Sequence, residues 1–182
     1  MATEAKLSKE EIMRIPAENL ARRPSAHETR SSGRLHHVGF VVPSINGAIE
    51  RFESGLQLRW DQHIFYDPVQ TVRVTFLRRD SGDEPLIELV EPASPTSRVA
   101  GFLSRGGGLH HLCYEIDSLD DGLQTALSAG GILVLPASPA IAFSGREIAW
   151  VCTADRLLVE YLQREPRDAD DPAEKPDRRA SS

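Results

Sequence analysis

Four side chains in this sequence have the types and spacing of a metal-ligand set: His37, Glu88, His111 and Glu160. His37 precedes Glu88 by 51 positions, and His111 precedes Glu160 by 49. The chain therefore offers one imidazole and one carboxylate twice, at nearly equal separation. Glu88 stands between Ile87 and Leu89, and Glu160 between Val159 and Tyr161. A carboxylate flanked in this way is costly to bury unless it is paired or binds a cation. Two imidazoles and two carboxylates suit one divalent ion of Co, Mn, Ni, Zn or Fe, whereas selection of a soft metal would require thiolates. Four protein ligands in octahedral geometry leave two positions for water or substrate. The ion would then polarise a substrate carbonyl as a Lewis acid.

The neighbouring polar residues have plainer readings. Strict strand alternation places His37, Gly39 and Val41 on one face and His36, Val38 and Phe40 on the other. The same rule separates His111, Cys113 and Glu115 from His110, Leu112 and Tyr114. His36 and His110 are thus expected behind the sheet or at an interface. Glu91, before Pro92, reads as a solvated strand end. Cys113 reads as a small core residue, with no separate base in the sequence to make it a nucleophile.

The elements that must position these residues repeat. LHHVGFVV begins at Leu35 and LHHLCYEI at Leu109, 74 residues later. Each run has the β-branched and aromatic character of a strand. A helical pattern follows each: Ser44 to Ser54, with Ile45, Ala48, Ile49 and Phe52, and Ser118 to Ala129, with Leu119, Leu123, Ala126 and Leu127. Ser44 and Ser118 are candidate N-caps, and Gly55 and Gly130 candidate stops. Three strands are then predicted in each copy: Arg59–Tyr66, Val72–Arg78 and Pro85–Val90, then Ile132–Leu135, Glu147–Cys152 and Leu157–Gln163. The pattern predicts an α+β fold of two tandem βαβββ modules, each leaving an apolar sheet face for its partner to cover. The first module spans 34–105 with a short linking helix over Val99 to Ser104. The second spans 106–163 after the turn Gly106-Gly107-Gly108. Residues 1–33 read as a polar arm, with a candidate capping box at Ser8 and Glu11. Residues 164–182 read as a tail too polar to order itself.

Composition narrows the partners. The chain has 182 residues, 40% hydrophobic and 26% charged, and a net charge of −6 with no basic block. A nucleic-acid partner would require clustered Lys and Arg, so none is expected. No apolar run approaches the ~20 residues that span a bilayer, so no membrane partner is expected. The polar N-terminus lacks the apolar stretch of a signal peptide. The two cysteines, Cys113 and Cys152, sit in apolar runs and read as free thiols, which points to the cytoplasm.

At the quoted phrases the sequence resembles the vicinal oxygen chelate superfamily, which includes glyoxalase I, methylmalonyl-CoA epimerase and extradiol dioxygenases. It is most similar to the methylmalonyl-CoA epimerase branch, over about residues 35–163. LHHVGFVVPSI, LIELVEPASPTSRVAGFL, GGGLHHLCYEIDSLDD and LLVEYLQ carry the resemblance. It implies His37, Glu88, His111 and Glu160 as ligands, paired modules in an open curved sheet around the metal, and commonly a homodimer. It also implies metal-assisted enolisation of a small-molecule carbonyl substrate, an acyl-CoA in the epimerase branch. A glyoxalase I-like lyase, a biosynthetic tailoring enzyme and a metal-free binding or resistance protein are the alternatives on the same scaffold. Extradiol chemistry fits less well, because that branch uses a three-ligand site.

One departure from the epimerase pattern matters. That branch carries a Glu-Gln-Gly phrase before the third strand, and its Glu is one of two proton-transfer bases. The matching stretch here is Asp67-Pro68-Val69-Gln70-Thr71. Gln70 is retained and is a candidate substrate contact, but Val69 cannot move a proton. Asp67 is the first candidate to replace the missing base, and Glu160, acting from the ligand set, the second. Two residues along a strand displace a side chain by ~6–7 Å. The sequence therefore predicts weak or absent methylmalonyl-CoA epimerisation unless the turn at Pro68 bends the chain. Arg146, in the FSGRE loop, is a candidate clamp for a substrate carboxylate or phosphate, or else an ordinary surface arginine.

Overall fold

The computed structural model describes residues 33–165, Asp83 excepted. The expected arm with its capping box and most of the expected tail lie outside the described residues.

Two serines start the two long helices. Ser44 Oγ accepts from Gly47 N at 3.3 Å, opening α1 (Ile45–Leu56), which follows β1 (Arg34–Val41). Further along, α2 (Ala100–Leu103) is the short linking helix, and Ser118 Oγ accepts from Asp121 N at 3.2 Å to open α3 (Leu119–Ser128). Gly55 is not the stop for α1. The helix runs on to Leu56 and closes on Gln57, whose left-handed backbone (φ 56°) returns its N–H to Glu53 O.

The strand predicted over Arg59–Tyr66 is broken in two. Its parts are β2 (Arg59–Trp60) and β3 (Phe65–Asp67), separated by a turn in which Asp61 Oδ1 accepts from His63 N and Gln62 has φ 63°. Both parts pair with β4 (Val72–Arg78), which pairs antiparallel with β5 (Leu86–Pro92). The second half contributes β6 (Gly108–Ile116), β7 (Ile132–Pro139), β8 (Glu147–Cys152) and β9 (Leu158–Gln163), with a 3₁₀ turn at Ile141–Phe143 between β7 and β8. β7 is longer than the expected Ile132–Leu135.

All nine strands form one open mixed sheet, ordered β2-β4-β5-β1-β6-β9-β8-β7, with β3 beside β4. The two halves of the sequence meet at one antiparallel pair, β1–β6, and each of these strands is flanked by a parallel partner, β5 or β9. One side of the sheet is covered by the helices. Ile45, Ala48 and Ile49 pack on Leu77 and Leu89, and Leu119 packs with Ile116 and Ala149. Each fully buried aliphatic side chain of this kind contributes ~1.5–3 kcal/mol. On the other side, Val41, Val74, Phe76 and Val90 form one cluster, and Cys113, Ile148, Trp150 and Leu162 another.

Glu91 is not a solvated strand end. Its Oε2 accepts from Ile45 N at 2.9 Å, the first N–H of α1, and Oε1 accepts from Arg73. Gln163 does the same in the second half, where its Oε1 accepts from Leu119 N at 2.9 Å. Both braces stand three residues after Glu88 and Glu160, so each module ties its helix to its own closing strand. Helix-start N–H groups have no intrahelical acceptor, so a side-chain oxygen there satisfies an otherwise orphaned donor. Glu91→Ala is expected to lower unfolding free energy by about 1–3 kcal/mol in urea titrations, with divalent-ion binding unchanged. An unaltered midpoint would show that the brace contributes nothing.

Candidate metal centre

The four central strands, in the order β5-β1-β6-β9, carry Glu88, His37, His111 and Glu160, one each. Their side chains meet. The Nε2 atoms of His37 and His111 lie 3.1 Å apart. Glu88 Oε2 is 3.2 Å from His111 Nε2 and 3.6 Å from His37 Nε2. Glu160 Oε2 is 3.1 Å from His37 Nε2 and 3.7 Å from His111 Nε2. All four residues are buried, with 0 to 6% of their surface exposed.

These separations suit a metal ion. Nitrogen and oxygen ligands about 2.0–2.2 Å from one ion lie roughly 3.0–3.6 Å from one another. The chemistry of the set also suits it. Two carboxylates and two imidazoles buried together have no lysine or arginine to balance them among the ion pairs of these four residues. Burial holds the His37 imidazole down, at about 4. Burial also opposes the charged form of His111, but its hydrogen bond to Glu88 and the charges of Glu88 and Glu160 outweigh this and raise it. Burial pushes the Glu160 carboxyl up. A divalent cation would replace this uneven sharing of protons with four charge-assisted bonds.

Two β-bulges alter the surroundings expected from strict alternation. Between Leu35 and His37 the β1–β6 register gains one residue, His36, and between Gly39 and Phe40 it gains His110 on the facing strand. An extra residue bends the strand locally and re-aims its side chain. His36 and His110 therefore do not pack behind the sheet. The Nδ1 atoms of His36 and His37 lie 2.9 Å apart, and those of His110 and His111 3.1 Å apart. Phe143 touches both His36 and His37, while Trp150 touches both His110 and His111. Burial holds both His36 and His110 down at about 4, each helped by its histidine neighbour, so both are neutral near pH 7. Alternation alone hides this arrangement; the repeated His-His dipeptide was the only sequence signal for it.

Across the central pair, His37 faces Cys113 and Gly39 faces His111. The His111 ring occupies the space above Gly39, where an added Cβ would lie 2.0 Å from its Cε1. Cys113 is fully buried and hydrogen-bonded to Glu160, and burial followed by the Glu160 charge pushes its thiol up, which keeps it an S–H donor. Gly39→Val is therefore expected to swing His111 away and strip the protein of bound Co²⁺, while overpacking costs about 1–3 kcal/mol of stability. Wild-type metal content in this variant, read by elemental analysis, would contradict that account.

The remaining candidates are divided. Asp67 and Gln70 line a small cavity of about 30 Å³ together with Glu88, Phe65 and residues 140–143 of the second half. Asp67 Oδ1 accepts from Val69 N (2.8 Å) and Gln70 N (3.0 Å), and Oδ2 from Gln70 Nε2 (3.2 Å). This turn folds the chain back at Pro68, so Asp67 lines the cavity and Val69 is 65% exposed. The straight-strand displacement of ~6–7 Å between Asp67 and the position of Val69 therefore does not apply. On the other side of Gln70 a cavity of about 370 Å³ is lined by Arg98, Val99, His110, Leu135, Trp150 and Leu158, among others. The indole N–H of Trp150 has no hydrogen-bond partner among the described residues.

Arg146 is not free to clamp a substrate. Its Nε donates to Gln163 O at 2.9 Å and its Nη2 to Glu115 Oε1, while Arg164 reaches Glu115 and Asp117. Glu115 anchors this network. Burial opposes the Glu115 charge, but the hydrogen bond and charge of Arg146, then Arg164, hold its carboxyl below the usual range. A depressed carboxylate stabilises the fold above its unfolded value of ~4.3, and the stability is lost as pH falls through the folded value. Glu115→Gln should thus melt earlier than wild type at pH 7, and the gap should narrow as pH falls from about 5 toward 3. A gap constant over that range would refute the linkage.

Comparison with known proteins agrees with this architecture. The sequence model described as "Glyoxalase/Bleomycin resistance protein/Dioxygenase superfamily" matches residues 36–150. The chain is 29% identical to an ethylmalonyl-CoA/methylmalonyl-CoA epimerase of Cereibacter sphaeroides, over 72% of this chain and 98% of that protein. It is 28% identical to the mitochondrial methylmalonyl-CoA epimerase of Bos taurus, over 80% of this chain and 82% of the relative. The crystal structure of methylmalonyl-CoA epimerase from Mycobacterium tuberculosis superposes with a TM-score of 0.65 at 26% identity, covering 77% of this chain and 95% of that one.

Proposed function

Because this chain belongs to the glyoxalase/bleomycin resistance protein/dioxygenase superfamily, we propose that it is a cytoplasmic, metal-dependent isomerase of the epimerase type, enolising an acyl-thioester. The observation that carries this reading is the convergence of two imidazoles and two carboxylates beside a cavity that also holds a third carboxyl-bearing residue, Asp67. The relatives named as epimerases support the substrate class. So do enzymes of the same fold solved with methylmalonyl-CoA and with 2-nitronate-propionyl-CoA, 20% and 19% identical with a TM-score of 0.61.

His37, Glu88, His111 and Glu160 would hold the ion. A bound divalent cation would supply a Lewis acid for the substrate carbonyl oxygen, which favours loss of the α-proton. Asp67 is the base that takes this proton. Its carboxylate is oriented by three hydrogen bonds from Val69 and Gln70, so it needs no reorganisation to act. Glu160, whose carboxyl is pushed up by burial, is the second group able to hold a proton at the centre. Gln70 sits between the two cavities and orients the acyl group, while the larger, mostly apolar space receives the substrate's alkyl portion.

The test is exchange of the α-proton of methylmalonyl-CoA and longer acyl-CoA thioesters in D₂O with Co²⁺-loaded protein. Deuterium uptake should require the ion and should fall ~10²–10⁴-fold in Asp67→Asn, the usual contribution of a general base. Uptake that survives Asp67→Asn undiminished would place the base elsewhere. No uptake with any acyl-CoA, from a protein that binds Co²⁺, would discard the acyl-thioester.

A further inference from the structure

A neutral imidazole carries one proton on two nitrogens, so a histidine ligand is competent only if the proton stays on the nitrogen facing away from the ion. His37 and His111 turn their Nε2 atoms toward each other and toward Glu88 and Glu160. Their Nδ1 protons therefore need acceptors, and both rings are too buried, at 0% and 1% exposure, for bulk water to serve. Metal-bound histidines usually give this proton to a carboxylate or a backbone carbonyl. Among the described residues, the hydrogen-bond partner of each Nδ1 is the Nδ1 of the preceding histidine, at 2.9 Å in the first half and 3.1 Å in the second.

The two contacts are built alike. In both, the preceding histidine is the extra residue of a β-bulge, without which it would point through the sheet. The ring pairs are edge-on in both, with centroids 5.2 and 5.3 Å apart and interplanar angles of 78° and 88°. An edge-on approach aims one ring's N–H at the other's in-plane lone pair. Aromatic side chains fix the outer rings: Phe143 lies 5.3 Å from His36 and Phe102 4.8 Å from His110, between centroids.

We propose that His36 and His110 are positioning residues, each accepting the Nδ1–H of the following ligand histidine and thereby keeping both Nε2 lone pairs turned to the ion. This rests on the metal reading of the centre. Each outer histidine then carries its own proton on Nε2. The proposal explains why the chain uses His-His twice rather than His preceded by any strand-forming residue.

Four single variants of the full-length protein test it: His36→Asn, His36→Phe, His110→Asn and His110→Phe. Asn offers Oδ1 near the position of His Nδ1 and restores the acceptor, whereas Phe keeps the ring and removes it. Co²⁺ affinity, measured by competition with a chelator, should fall ~10–100-fold in each Phe variant and stay within a few-fold of wild type in each Asn variant. In the wild type loaded with diamagnetic Zn²⁺, ¹⁵N chemical shifts should show the ring proton of both His37 and His111 on Nδ1. Phe variants that hold Co²⁺ as tightly as wild type would overturn the proposal, as would Nε2–H tautomers at both ligands or equal losses in Asn and Phe. If the wild type itself binds no divalent ion, it is the metal reading that fails, a result distinct from each of these.

Discussion

The antiparallel pairing of β1 with β6 is the constraint on which the rest of the site depends. It is the one seam between the two halves of the sheet, and it sets His37 against Cys113 and His111 against Gly39. The parallel strands β5 and β9 then bring Glu88 and Glu160 alongside. A slip of one residue at the seam would send a ligand histidine to the helix-covered face, because side chains alternate with period two. Burial resists such a slip. Each strand also carries apolar residues committed to one face, such as Val41 in the cluster with Val74 and Val90.

Within that seam the chain departs from regular pairing twice, and both departures fall next to a ligand. The bulges leave His36 and His110 unpaired and turn them toward the ligand rings. A regular strand would set apolar side chains behind the ligands and leave their Nδ1 protons without acceptors. The local loss of ladder bonds thus has a compensation that is chemical as well as structural. Glu91 and Gln163 show the same economy at the other end of each module, where one strand-end side chain fixes the first turn of a helix.

Much of this was legible in the sequence, because repetition exposes it. The 74-residue offset between the His-His runs gave the two halves, serine caps gave the helix starts, and near-equal His–Glu spacing gave the four residues that meet at the centre. What stayed hidden depends on register and on tertiary partners. Alternation sent His36 and His110 to the wrong face, since a bulge is invisible to a period-two pattern. Glu91 and Arg146 looked solvent-facing or substrate-facing, since the partners that occupy them lie 17 to 46 residues away in the chain. The break at Asp61–His63 followed from an aspartate turn inside a run that otherwise had strand character. Asp67 looked displaced from the Val69 position along a straight strand, and the turn held by its own carboxylate is not visible to a period-two pattern.

The twofold resemblance of the halves is broken around the ligand set. Two identical halves around one ion would offer identical space on both sides of it. Here residues 140–143 of the second half fold over the Glu88 side and leave a space of about 30 Å³, while Arg98 and Val99 of the first half border about 370 Å³ on the His110 side. Each half closes the other's cavity, but with segments of different bulk: an aromatic turn ending in Phe143 on one side, and a linker with a charged rim on the other. The position two residues after each ligand histidine repeats the asymmetry, Gly39 giving an open backbone under His111 and Cys113 a thiol that supports Glu160. Among the described residues, only Gln70 lines both spaces. The symmetric elements thus assemble the ligand set, and the asymmetric ones give the cavity a direction, with Asp67 at its narrow end.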